Sequence, residues 1–124
     1  PTTHLLLIGD LSFYHDMNGL LAGKRYTINL TIVVVNNHGG GIFRKLSVNE
    51  NNPKFSEFWT TPLDLNIEKI AELYNINYSA ITSMKDVQSK LLNNNIEIID
   101  YKISIDSSKK IRTQILKDIE ALIN

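Results

Sequence analysis

Two apolar runs, each followed by a polar, glycine-containing turn, organise the first third of the chain. Residues 5–8 read Leu-Leu-Leu-Ile, and residues 28–35 are rich in β-branched residues and almost continuously apolar. Short runs of this kind, without alternation, are typical of parallel strands that are covered on both faces. We therefore predict two buried parallel strands, joined by a crossover through the residues between them.

The segment between these runs has the period of an amphipathic helix. Ser12 is a suitable N-cap and Gly23 a suitable residue just past a helix end, which predicts a helix ending at about residue 22. Its apolar stripe would consist of Phe13, Met17, Leu20 and Leu21. The first half of the chain is thus predicted to be a β-α-β unit, and residues 42–46 add a short apolar segment.

A polar segment then separates the two halves. Residues 47–54 are Asn-rich and predict a surface loop or a lid. Three aromatic residues follow within a few positions, at Phe55, Phe58 and Trp59. They predict either that this loop packs on the domain or that it offers a binding platform.

The second half alternates helix, helix, strand and helix. Asn66 predicts the start of a helix, and Ser83 with Asp86 resembles a capping box that opens another, ending at about residue 92. Residues 96–105 predict a strand whose alternation slips once at Ile99. The apolar positions of the outer helices are Ile67, Ile70, Ala71 and Tyr74, then Ile111, Ile115, Ile119 and Leu122. This order predicts one α/β domain over residues 1–124, a three-layer sandwich with a mostly parallel sheet.

Composition excludes several classes of function. Thirteen Lys and Arg balance thirteen Asp and Glu, so no net field favours nucleic acid or an anionic membrane. The absence of cysteine excludes disulfides, iron–sulfur clusters and thiolate zinc sites. No apolar run is long enough to span a bilayer, and no signal peptide pattern is present. We expect a cytoplasmic domain and, because a central strand seems due within a few residues of Pro1, a piece of a longer protein.

The two polar turns carry the candidate chemistry. Asp10 follows the first predicted strand and Asn37 the second, and the carboxyl ends of parallel strands share one edge of a sheet, where ligands bind. A carboxylate, an amide oxygen and the Gly39 carbonyl are ligands that Mg²⁺ accepts, and Ser12 with the first amides of a helix can hold phosphate. Each turn alone is also ordinary turn chemistry. Their pairing at crossover spacing favours a metal–diphosphate site.

The same turns resemble a known family. Gly-Asp-Leu-Ser at 9–12 and Asn-Asn-His-Gly at 36–39 are similar to the fingerprint of thiamine-diphosphate enzymes, in the domain that binds the diphosphate. The longer text at 9–20 and 34–43 resembles the C-terminal domain of the menaquinone (vitamin K2) synthases of that family, in which Leu11 replaces a more usual glycine. The resemblance is strong over residues 5–46 and fainter to about residue 78.

The resemblance implies a set of site residues. Asp10, Asn37 and the Gly39 carbonyl would bind Mg²⁺. The residues in contact with the cofactor would be Asp10, Leu11, Ser12, Asn37, Gly39 and Gly40. An apolar wall on the substrate side would consist of Ile42, Phe43 and Leu46.

It also implies an activity. The parent would be a transferase (carboligase) that decarboxylates 2-oxoglutarate and adds the resulting succinyl carbanion equivalent to isochorismate. The glutamate that activates the cofactor would lie on the pyrimidine-binding domain of a partner subunit in a homodimer or homotetramer. No catalytic residue is therefore expected in this chain, and the chain alone should be inactive.

Some features leave alternatives open. Arg44 and Lys45 replace the more usual continuation of the family's Ile-Phe segment, and they either attract dicarboxylates at the mouth of the site or are solvated. His38 either titrates at the site or points to solvent. The chain could instead belong to another thiamine-diphosphate enzyme, a 2-oxoacid decarboxylase or an acetolactate-synthase relative, or be a non-catalytic α/β binding domain.

Overall fold

Four parallel strands form the sheet of this computed structural model, which describes residues 4–45, 52–83, 85–90 and 95–123. The strands are β1 (His4–Gly9), β2 (Leu30–Asn36), β3 (Asn77–Ile81) and β4 (Glu97–Lys102). Their order in the sheet is β1-β2-β4-β3, and each neighbouring pair is parallel. The predicted α/β class with a parallel sheet is confirmed. Strand β3 was not predicted, because its short sequence, Asn-Tyr-Ser-Ala-Ile, has little apolar character.

Helices connect the strands as crossovers. They are α1 (Asp10–Asp16), α2 (Leu20–Tyr26), α3 (Ile67–Tyr74), α4 (Lys85–Lys90) and α5 (Ile105–Ile123). A 3₁₀ turn joins α1 to α2 at Met17–Gly19, a second one covers Gly41–Lys45, and a π-helical turn covers Ser56–Thr60. Two predicted features, the loop over 47–51 and the end of the helix near residue 92, lie outside the described residues.

The first crossover helix differs from its prediction at both ends. Gly9, in extended conformation, is the N-cap of α1, so Ser12 lies inside the first turn and caps nothing. Gly23 lies inside α2, which ends at Thr27 in the left-handed conformation. Gly23 is buried, and a Cβ there would collide with Ile96 Cδ1. The glycine thus serves close packing of α2 rather than termination of the helix.

Later helix starts agree better with prediction. The Asn66 side chain accepts a hydrogen bond from the Lys69 amide at 3.1 Å, which confirms the cap of α3. The Ser83 hydroxyl accepts from the Lys85 amide at 3.3 Å, and α4 begins at Lys85. These side chains satisfy amides that have no partner within the helix.

The core lies on both faces of β2 and β4. On one face, α1, α2 and α3 contribute to a buried cluster of Phe13, Leu20, Ile32, Val34, Ile67, Ile70, Ala71, Ile96 and Ile98. On the other face, α4 and β3 complete a smaller cluster of Val33, Ile81, Val87 and Ile99. Because Ile98 and Ile99 face opposite sides and are both fully buried, the slip in alternation marks a strand covered on both faces.

Two apolar surfaces are exposed in the described part of the chain. Strand β1 is at the edge of the sheet, and Leu5 and Leu7 are 56% and 62% exposed, so the prediction of a buried strand there is wrong. Helix α5 forms as predicted, but Ile111, Ile115 and Ile119 of its stripe are exposed. The side chain of Leu122 lies outside the description. An apolar run predicts a strand or a helix, whereas its burial depends on which elements come to lie against it.

Candidate functional site

The two predicted turns meet at the carboxyl edge of the sheet. Gly9 pairs with Val35 in the β1–β2 register, so Asp10 and Asn37 emerge beside each other. Asp10 is 5% exposed, and its Oδ2 accepts a hydrogen bond from the Gly39 amide at 2.8 Å. Its Oδ1 accepts from the Leu11 amide at 2.9 Å. A buried carboxylate therefore joins the start of α1 to the turn after β2.

Three oxygen atoms converge beside Asp10. The Asn37 amide turns its oxygen toward Asp10 Oδ1, 3.3 Å away, and toward the Gly39 carbonyl oxygen, 2.5 Å away. Oxygens at these distances repel unless the amide rotates, so that its nitrogen donates to both, or a cation lies between them. The described residues contain no group of three His, Cys, Asp or Glu that could hold a metal. The donors are thus one carboxylate and two neutral oxygens, a set that suits a hard divalent cation bound partly by phosphate and water.

Backbone conformation makes this turn depend on glycine. His38 and Gly39 have φ values of 60° and 123°. A Cβ on Gly39 would lie 2.5 Å from the Thr60 carbonyl oxygen and 2.7 Å from that of Thr61. The Gly40 amide donates to the Thr60 carbonyl at 2.6 Å. The turn is therefore clamped by residues 60 and 61, a contact that no local pattern indicated.

The other predicted cofactor residues surround this turn. Ser12 is exposed in the first turn of α1. Leu11 packs beside Gly40, where a Cβ would lie 3.2 Å from Leu11 Cδ1. His38 is exposed, and its amide donates to Asn36 Oδ1 at 3.2 Å.

The apolar wall is only partly described. Ile42 is 63% exposed, and Phe43 packs edge-on against Trp59 with ring centroids 5.7 Å apart. Leu46 lies outside the described residues. Among the three aromatics, Phe55 is buried and Phe58 is exposed. The aromatic segment therefore packs on the turn through Phe55 and Trp59, as one of the two alternatives predicted.

A buried polar network behind the turn was missed by sequence reasoning. Asp100 is 2% exposed; its Oδ1 accepts from Asn36 Nδ2 at 3.0 Å and its Oδ2 from the Tyr78 hydroxyl at 3.1 Å. Lys102 Nζ lies 3.9 Å from the same Oδ2. Burial, together with the negative charge of Asp100, raises the pKa of Tyr78 to about 12. A carboxylate inside the apolar run of β4 was the available signal.

The family of this chain follows from residues 2–95, which match the thiamine pyrophosphate enzymes in their C-terminal domain, the one that binds thiamine pyrophosphate. The chain belongs to this family, and the resemblance noted in its sequence is confirmed.

Curated relatives narrow the comparison to one enzyme. The chain is similar to the 2-succinyl-5-enolpyruvyl-6-hydroxy-3-cyclohexene-1-carboxylate synthases of Enterococcus faecalis (46% identity over 71% of this chain) and of Listeria monocytogenes (42% over 84%). It spans only 15% and 19% of their lengths.

Solved structures confirm the fold. The chain superposes on a thiamine diphosphate-dependent 4-hydroxybenzoylformate decarboxylase from Rhodococcus jostii with a TM-score of 0.63 and 21% identity, covering 82% of this chain and 20% of that one. A benzoylformate decarboxylase from Polynucleobacter necessarius gives 0.62 at 20% identity, with 82% and 19% covered. In the described part of the chain, no helix is long and apolar enough to cross a membrane.

Proposed function

We propose that this chain is the Mg²⁺- and diphosphate-binding part of a synthase that decarboxylates 2-oxoglutarate and joins the resulting four-carbon unit to isochorismate. The observation that carries the proposal is the convergence of the Asp10, Asn37 and Gly39 oxygens beside the first turn of α1. The similarity of 40–46% to curated synthases supports the choice of substrates.

Each residue would have a distinct role in holding the cofactor. Asp10, Asn37 and the Gly39 carbonyl would ligate Mg²⁺, and the metal would neutralise charge on the diphosphate. Ser12 would donate to a phosphate oxygen at the start of α1, where the helix dipole favours negative charge. Gly40 and Leu11 would line the space beside it. When bound, thiamine diphosphate supplies the nucleophilic carbon and the electron sink that decarboxylation requires.

The apolar side chains would act by excluding water. Ile42 and Phe43 lie directly after the metal-binding turn, on its solvent side. An apolar wall at the reacting carbon keeps water from protonating it before the second substrate arrives. The catalytic glutamate would come from the pyrimidine-binding domain of a partner subunit, in a homodimer or homotetramer, so that this chain positions the cofactor without performing proton transfer.

A chimeric enzyme tests this function. The chain replaces the matching segment of the Enterococcus faecalis synthase, and product formation is measured with thiamine diphosphate, Mg²⁺, 2-oxoglutarate and isochorismate. We expect Mg²⁺-dependent turnover, which Asp10→Ala lowers by at least about 100-fold through loss of the metal. Asp16→Ala, at an exposed carboxylate at the end of the same helix, should retain activity.

Two results would contradict the proposal. A folded chimera that uses pyruvate in preference to 2-oxoglutarate would place the chain with the decarboxylases or acetolactate synthases. A folded chimera that binds no thiamine diphosphate, as measured by calorimetry, would exclude a cofactor site altogether and favour a binding domain.

A further inference from the structure

A basic pocket opens beside the metal-binding turn, on the side away from α1. Its volume is about 360 Å³, within the range of small-molecule sites, roughly 300–1,000 Å³. Three cationic side chains line it, Arg44, Lys109 and Arg112, and none of the described residues that line it is acidic. The neutral lining consists of Asn37, Gly41, Ile42, Ile103 and Ser108.

Two distant segments bring these cations together. Arg44 belongs to the 3₁₀ turn Gly41–Lys45, whereas Lys109 and Arg112 lie one turn apart on α5. The Ile103 amide donates to the Asn36 carbonyl at 2.9 Å, which fixes the exit of β4 next to the turn after β2. Residues three apart on a helix share a face, so the two α5 cations can act on one ligand. Asp106, one turn earlier on α5, does not line the pocket.

Arg44 supplies an independent sign of a missing acceptor. Its Nε is shielded from solvent and has no hydrogen-bond partner in the described part of the chain. Buried donors are almost always paired, and an unpaired one indicates a water, ion or ligand that completes the site. The acceptor that matches a guanidinium best is a planar carboxylate, which takes two parallel hydrogen bonds.

The position of the pocket separates it from the diphosphate. Asp10, Leu11 and Ser12 are not among its lining residues, whereas Asn37 and Ile42 are. The pocket therefore adjoins the proposed metal site on the side of the apolar wall, where a substrate rather than the cofactor's phosphates would lie.

We propose that this pocket binds the carboxylate remote from the reacting centre of a dicarboxylic 2-oxo acid, with Arg44 and Arg112 as its main ligands and Lys109 adding charge. This proposal rests on the proposed function, because it assigns the second acidic group of that substrate to this chain. It also decides the alternative left open by the sequence, since Arg44 turns inward to the pocket mouth.

Titration of the full 124-residue chain with small anions tests the pocket directly. Amide chemical shifts in nuclear magnetic resonance spectra report the dissociation constant for 2-oxoglutarate, succinate, pyruvate and inorganic phosphate. We expect the two dicarboxylates to bind more tightly than pyruvate and phosphate, with shifts at residues 41–44 and 108–112. Arg44→Gln and Arg112→Gln should each weaken dicarboxylate binding about 10-fold, the effect of losing a charge-assisted hydrogen bond.

A matched control uses Lys110, an exposed cation on α5 that does not line the pocket. Lys110→Gln removes the same charge and should leave the dissociation constant unchanged. Equal weakening by Lys110→Gln would show a general charge effect and overturn the proposal. So would absence of binding, or tighter binding of phosphate than of either dicarboxylate. Because Arg112 lies on an otherwise exposed helix, its variant also tests the pocket without disturbing the core.

One further variant separates this proposal from the proposed function. Asp10→Asn should abolish binding of thiamine diphosphate with Mg²⁺ and leave dicarboxylate binding intact. If the unmodified chain binds dicarboxylates but no cofactor, the proposed function fails and the pocket stands. If it binds the cofactor but no dicarboxylate, the pocket fails and the cofactor site stands.

Discussion

Gly39 shows how a single residue can serve conformation and chemistry together. Its φ of 123° is strained for any residue with a side chain, and its neighbours leave no room for a Cβ. Its amide holds Asp10 and its carbonyl faces Asn37. Position 39 therefore determines both ends of the candidate metal site.

Replacement of Gly39 tests this residue. We expect Gly39→Ala to lower the free energy of unfolding by about 3 kcal/mol, since it combines backbone strain with contact against the Thr60 and Thr61 carbonyls. Urea denaturation measures the change. Calorimetry should show that Mg²⁺-dependent cofactor binding is lost.

Gly19 is the matched control for this substitution. It has helical backbone angles, and no atom lies within 4 Å of a Cβ built there. Gly19→Ala should be neutral or stabilise the chain by up to about 1 kcal/mol. Equal destabilisation by the two variants would show that the turn imposes no special demand on Gly39.

At the scale of elements, Asp100 connects three strands at their carboxyl ends. It lies on β4, accepts from Asn36 of β2 and from Tyr78 of β3, and is fully desolvated on the second turn of its strand. Asn36 in turn accepts from the His38 amide and so shapes the metal-binding turn. The network places Asp100 as a positioning residue behind the candidate site.

Removal of this carboxylate should affect the site and a distant tyrosine. We expect Asp100→Ala to weaken Mg²⁺-dependent cofactor binding about 10-fold, the range for residues that orient metal ligands. It should also lower the Tyr78 pKa from about 12 toward 10.0, because a neighbouring negative charge is lost. Calorimetry and ultraviolet titration of tyrosine ionisation measure the two effects.

The pH dependence of stability gives the sign of the same effect. The folded chain retains the Tyr78 proton up to about pH 12, whereas an ordinary tyrosine loses it near 10.0. The stabilisation linked to this proton is thus fully present below pH 10 and is lost as the pH rises through 12. This fall should be smaller in Asp100→Ala. Asp64→Ala, at an exposed carboxylate on the rim of the same cleft, should match the unmodified chain; if it behaves like Asp100→Ala, the network has no special role.

At the scale of the whole molecule, the chain holds half of the chemistry that its family requires. The described residues place metal ligands, a helix start and a basic pocket at one edge of the sheet. The leucines of β1 and the stripe of α5 are exposed around them. Its curated relatives are several times longer, so their activity is a property of more chain than is present in this sheet.

The chain alone should therefore bind the cofactor without turning over substrate. With thiamine diphosphate, Mg²⁺ and 2-oxoglutarate, we expect no CO₂ release above that of the free cofactor, because the activating glutamate belongs to a partner domain. Calorimetry on the same sample should detect cofactor binding. Mg²⁺-dependent CO₂ release that Asp10→Ala abolishes would contradict this division of roles.

The sequence by itself determined the elements and the central contact of the site. Helix period, caps such as Asn66 and the apolar run of β2 are local signals, and parallel strands joined by a crossover bring Asp10 and Asn37 to one edge whatever else the fold does. The strand order and the course of α5 were decided by tertiary structure. Only the order β1-β2-β4-β3 exposes the leucines of β1, joins Asp100 to Asn36 and Tyr78, and brings α5 to Arg44. Contacts between segments far apart in the chain depend on the competition among all packing arrangements, which no local pattern encodes.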